Sequence, residues 1–194
     1  MDPHDLPLSA GYAPQGAASD ALLAAGLDEQ LRVLEKRLAG ADVAALEWQL
    51  RPGTNTTGML LAHLAIVEAY WLQAVVRGLT ADADADRAVR AAIGLGMADD
   101  GMPVAADGGH PATLRGWGLA DYLALLHRAR AGSHEVLRAW RDDDLARTLE
   151  SDGRPVSRAW VLFHVLDHFS HHAGQIALLR SLRSLRPLRE TSPA

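Results

Sequence analysis

Residues 161–179 read "VLFHVLDHFSHHAGQIALL". The apolar residues Val161, Leu162, Val165, Phe169, Ala173 and Ile176 recur at three- and four-residue spacing, the period of a helix with one face turned to a core. With His168 at zero on a wheel of about 100° per residue, these residues and Leu166 fill an arc from about +20° to +160°. His172 falls inside the arc at about +40° and His168 at its edge, while His164 lies at about −40° and His171 at about −60°. The four histidines are therefore not equivalent. His168 and His172 stand one turn apart and lean towards the core together, a spacing at which two imidazoles can chelate one ion.

Three further helical patterns precede this one. The first runs from about Asp20 to Ala39, with Leu23, Leu27, Leu31, Leu34 and Leu38 at helical spacing, Ser19 or Asp20 as a cap and Gly40 at its end. The second follows "PGTNTT", with Thr56 as N-cap, and continues to about Arg77. Its apolar stripe is Leu60, Leu64, Val67 and Trp71, and His63 lies within it. The third spans roughly Leu119 to Trp140; its stripe of Leu119, Tyr122, Leu123, Leu126, Leu137 and Trp140 is interrupted by Arg130 and Ser133. The last helix starts near Ser157, after a turn at "DGRPVS", and must break near Pro187.

Residues 79–112 are rich in Ala, Asp and Gly, and a connection this long is functional, mobile or partly helical. No strand pattern and no internal repeat emerges. The expected architecture is all-α: a four-helix bundle with a long connection between the second and third helices. Residues 19–186 are the expected domain, with 1–18 a flexible N-terminal segment and 187–194 a C-terminal tail.

The chain has 194 residues, 48% hydrophobic and 22% charged, the composition of one globular domain with a real core. A net charge of −5 gives no reason to expect nucleic acid as a partner. There is no Cys, so disulfides, thiolate ligands and Cys nucleophiles are excluded, and thiol chemistry would need a small-molecule thiol. The start, "MDPHDLPLSAGYAPQGAASD", lacks the basic and apolar regions of a signal peptide. No stretch approaches the roughly 18 apolar residues of a membrane span. A cytoplasmic protein with no membrane partner is expected.

A single inward His is most often a hydrogen-bonded core residue. Three of them, His63, His168 and His172, would need three separate sets of partners unless one ion served them all, which favours a metal site. Other residues near this set have a role in chemistry or a plainer one. Arg130 binds the carboxylate of a thiol or substrate, or else snorkels or forms a salt bridge. Tyr70, about 20° from His63 on its wheel, is a further candidate. Gln175 is a partner for a ligating His or an interhelical contact, His164 is marginal, and Gly174 is expected to allow close helix approach. "DADAD" resembles the start of a calcium loop, but Arg87 and Ile93 stand where Gly and Glu are required, which rejects it. His127 and His134 lie off the third helix's stripe, and Arg180, Arg183, Arg186 and Arg189 read as a solvated face.

"PGTNTTGMLLAHLAIVEAYW" followed by "LFHVLDHFSHHAGQIALLR" resembles the DinB-like superfamily and the related domains of mycothiol-dependent maleylpyruvate isomerases. The shared pattern is a His on the second helix, then H-x-x-x-H followed by a small residue, Gly and Gln. The resemblance implies a four-helix bundle that binds a divalent ion, commonly zinc or nickel, through His63, His168 and His172. In the isomerase-like branch the first member of the pair is often Glu, so His168 inclines this chain to the three-His branch. Also implied is a thiol S-transferase using bacillithiol or mycothiol on a small-molecule substrate, in a chain that pairs as a homodimer. A metal-dependent hydrolase using a bound hydroxide and a non-enzymatic metal-binding stress-response protein are the alternatives.

Overall fold

The computed structural model describes residues 18–79, 81–151 and 154–185; the expectations for the N-terminal segment, for Pro187 and for the C-terminal tail fall outside these. Four long helices dominate: α1 (Ala18–Leu38), α3 (Thr57–Ala69), α5 (Leu119–Arg138) and α6 (Arg158–Leu185). Between them lie a single-turn α2 (Val43–Leu46) and α4 (Asp82–Ile93). Helix α1 packs on α5 and α6, and α3 packs on the same two from the other side.

Each helix forms for reasons visible in its residues. Leu27, Leu31, Leu34 and Leu38 are all buried on one side of α1, and Gly40 (φ 79°) takes the left-handed conformation just after its end. The Thr56 hydroxyl accepts from the Met59 N–H at 3.1 Å and caps α3. Gly118 precedes α5 and donates its N–H to the Asp121 carboxylate at 2.8 Å. In α6 the buried residues are Val161, Leu162, Val165, Phe169, Ala173 and Ile176, the arc read from the sequence.

Helix α3 differs from the one-stripe expectation. It is buried nearly all round, from Thr57 to Ala69, and its least buried line is His63, Val67, Tyr70 and Trp71. Of the stripe expected to face the core, Leu60 and Leu64 are fully buried, whereas His63, Val67 and Trp71 are only half-buried. Past Ala69 the helix widens into a π turn (Tyr70–Ala74) and tightens into a 3₁₀ turn (Val75–Arg77). Thr57–Arg77 is also long and apolar enough to cross a membrane by length and composition, contrary to the sequence reading. Its most apolar window is 78% buried inside the protein, as a core helix is.

Two further differences concern the connections. β1 (Thr148–Ser151) and β2 (Arg154–Ser157) pair as antiparallel strands where no strand was expected, β2 within the stretch "DGRPVS" expected to be a turn. Four-residue strands are too short to show alternation. The long connection is partly helical: "DADAD" supplies the first turn of α4, where acidic side chains suit the helix dipole. Its remainder is tied to the segment leading into α3, through Gln49 Nε2 donating to Gly108 O (2.9 Å) and Thr56 Oγ1 bonded to His110 Nδ1 (2.8 Å).

Candidate metal centre

His63 on α3 and His168 and His172 on α6 meet between the two helices. Their ligand-capable nitrogens lie within 4.8 Å of one another. His168 Nε2 is 3.1 Å from His63 Nε2 and 3.1 Å from His172 Nε2. A tetrahedral ion with N–metal bonds of about 2.0–2.1 Å sets its nitrogen ligands roughly 3.3 Å apart, close to these two separations.

The outer nitrogens fix the tautomers. His63 Nδ1–H donates to Asp100 Oδ2 at 2.8 Å, and His172 Nδ1–H donates to Gln175 Oε1 at 2.8 Å. Both Nε2 atoms therefore carry lone pairs directed at His168. A His168 N–H could satisfy only one of them, whereas a cation satisfies all three. The donor set fits a borderline-soft divalent ion such as zinc or nickel.

Protonation states agree with this arrangement. Burial, then the neighbouring imidazoles of His172 and His63, push the His168 pKa down to about 3. His172 is also held below the usual imidazole range by burial, against the opposing effect of its Gln175 bond. Both rings are neutral, and available as ligands, at neutral pH.

The remaining sequence candidates divide. Gln175 joins the site as the partner of His172, and its Nε2 also reaches His171 Nε2 at 3.1 Å. His171 itself is exposed, as the wheel placed it. His164 stacks flat on Trp160 (centroids 4.8 Å, interplanar angle 8°), meets Trp71 edge-on at 5.1 Å, and lies 5.9 Å from the His168 ring. Burial lowers its pKa. It belongs to an aromatic wall beside the triad. Tyr70 packs on Trp71 (5.4 Å) and, with His63 and Asp100, lines an open cleft of about 320 Å³.

Arg130 takes the structural alternative. Its Nε and Nη2 bond the Glu68 carboxylate at 2.8 and 3.0 Å, and its Nη1 bonds Asp28 at 3.1 Å. Ser133 Oγ donates to the same Glu68 oxygen at 2.8 Å. Glu68 is 1% exposed, and the Glu68–Arg130–Asp28 set ties α3, α5 and α1 together. Gly174 is exposed, and a Cβ there would meet nothing within 4 Å, so it does not mediate close helix approach. Arg180 and Arg183 are not purely solvated either. Arg180 reaches the Arg37 carbonyl, Arg183 pairs with Asp42 at 3.6 Å, and both line a separate pocket of about 630 Å³.

Asp100 escaped sequence reasoning. It is 1% exposed, and its second oxygen accepts the Met102 N–H at 2.9 Å. It lies in an irregular stretch with no period, and nothing in the sequence separates it from Asp99 or Asp107.

Several solved structures share this fold. A DinB-like protein from Bacillus cereus aligns with TM-score 0.59 at 18% identity, over 84% of this chain and 91% of that one. A conserved protein from Enterococcus faecalis aligns with TM-score 0.62 at 18% identity, over 84% of this chain and 96% of that one. The chain thus shares its fold with a DinB-like protein and carries a cluster of three histidines. The chain belongs to the mycothiol S-transferase family, whose model matches residues 22–183. No curated protein matches it.

Proposed function

We propose that this protein is a divalent-metal-dependent S-transferase that joins a low-molecular-weight thiol, mycothiol or its functional counterpart bacillithiol, to an electrophilic small molecule. The observation that carries this reading is the convergence of three Nε2 atoms, two of them tautomerically fixed as acceptors. Family membership supports the thiol, and the absence of Cys requires that it come from outside the chain.

His63, His168 and His172 hold the ion, zinc or nickel by ligand type. A divalent ion with an open position acidifies a bound thiol and supplies thiolate at neutral pH. Asp100 orients His63 and places a buried negative charge behind it, raising the basicity of that imidazole; Gln175 orients His172. The cleft beside His63 receives the electrophile, and the His164–Trp160–Trp71 wall shields the other flank of the triad.

The same proposal includes a four-helix bundle over residues 19–186, a cytoplasmic location and a homodimer. The mutual packing of α1, α3, α5 and α6 supports the bundle, and the resemblance supports the dimer. The test is conjugation of mycothiol to monochlorobimane by protein loaded with zinc or nickel. Metal-dependent turnover that disappears in His172→Ala is expected. Stoichiometric metal binding without conjugation would refute the transferase reading and leave the metal centre standing.

A further inference from the structure

We propose that the electrophile taken by this site is an uncharged, largely apolar small molecule, selected by the cleft beside His63. This rests on the S-transferase reading and adds the substrate class to it. The walls of the cleft are Ile66 and Val67 from α3, Tyr70 from the π turn, and Met97, Met102 and Pro103 from the long connection. His63 and Asp100 complete the lining, and their facing polar atoms are spent on each other at 2.8 Å. The other Asp100 oxygen is taken by the Met102 N–H.

Among the described residues, no Lys or Arg lines this cleft. Arg90, which reaches the same connection, is held by Asp99 at 2.8 Å and Asp86 at 3.7 Å. A carboxylate entering between these walls would lose its water and gain no cation from them, and the bound thiolate already takes the open position and part of the charge of an ion held at His63. An apolar body loses little on entry and gains contact with two thioether side chains, which adapt to varied shapes. A volume of about 320 Å³ lies at the small end of ligand pockets and suits a one- or two-ring molecule.

The reaction with a benzylic chloride balances simply. The thiol loses its proton to solvent, the sulfur pair forms the S–C bond, and the C–Cl pair departs as chloride. The test compares methyl para-(chloromethyl)benzoate with para-(chloromethyl)benzoate, which share the reacting carbon and differ in charge. With metal-loaded protein and mycothiol, kcat/KM over the uncatalysed rate is expected to favour the ester at least about tenfold. Val67→Arg, on the partly exposed line of α3, is expected to narrow or reverse that preference. An equal or greater rate with the carboxylate in the unmodified protein would overturn the proposal.

Binding supplies a readout independent of turnover. The unreactive pair, methyl para-methylbenzoate and para-methylbenzoate, is titrated into the metal-free protein by calorimetry or by shifts of the methionine methyl signals. The ester is expected to bind more tightly and to shift Met97 and Met102. Should neither chloride react while the ester still binds preferentially, the S-transferase reading fails and the cleft's selectivity stands. Tighter or equal binding of the carboxylate overturns the selectivity whatever the turnover.

Discussion

Replacing Asp100 by Asn changes one atom and is expected to lower metal affinity by more than removing the side chain would suggest. Both carboxylate oxygens accept: Oδ1 from the Met102 N–H at 2.9 Å and Oδ2 from His63 Nδ1–H at 2.8 Å. An amide has one acceptor and one donor end. Its oxygen must face the Met102 N–H, because the reverse would oppose two donors. Its NH₂ must then face His63 Nδ1, which becomes the acceptor and moves the imidazole proton to Nε2, the ligating atom. Asp100 is 1% exposed, so no bulk solvent relieves the conflict.

Loss of an outer partner of a ligating His typically costs 10–100-fold in metal affinity, about 1.4–2.7 kcal/mol. The tautomer switch puts Asp100→Asn at or above the upper end of that range and Asp100→Ala, which leaves Nδ1 free to keep its proton, below it. The measurement is competition titration of zinc or nickel against a chelator of known affinity. Circular dichroism of the metal-free variants establishes that the helices persist. An affinity for Asp100→Asn within twofold of the unmodified protein would show that Asp100 does not set the tautomer of His63.

Other outcomes follow from the same geometry. His172→Ala should abolish stoichiometric metal, while His171→Ala, at an exposed position, should leave it within a few-fold; equal losses would remove the basis for ranking the histidines by face. Because the folded pKa of His168 lies near 3, below the usual 6.5, the unfolded chain binds more protons between those values. The metal-free protein should therefore lose stability as pH falls from about 6.5 towards 3, and the loss should shrink in His168→Gln. A Tm against pH profile of identical slope in both proteins would contradict this. Arg130→Met strands a buried Glu68 carboxylate and should destabilise by about 3–5 kcal/mol, whereas the double change with Glu68→Leu should recover most of it. Chemical denaturation measures both, and additive losses would show that the pair is not coupled.

Much of this protein is legible in its residues taken one helix at a time. Period places the four long helices and Thr56 marks the start of α3, because a buried arc such as that of α6 and a cap such as Thr56 are local facts; Ser19 and Asp20, the expected caps of the first helix, lie inside α1. The same periodicity singles out His168 and His172 from their neighbours and puts His63 on a line with Val67 and Trp71. It could not tell that this line faces a cleft, since an apolar side chain marks a covered face without saying what covers it. Arg130 shows the same limit: an inward guanidinium is evident from spacing, but its Glu68 partner lies 62 positions away on another helix.

The tertiary structure decided what depends on packing across the chain. It brought three Nε2 atoms from α3 and α6 to within ligand spacing, and it folded an aperiodic connection back over α3. There, one of several similar aspartates is buried against His63. The sequence by itself determined which residues are able to form the site. Which outer partners hold them, and which cleft opens beside them, is set by contacts between segments far apart, whose geometry no local period encodes.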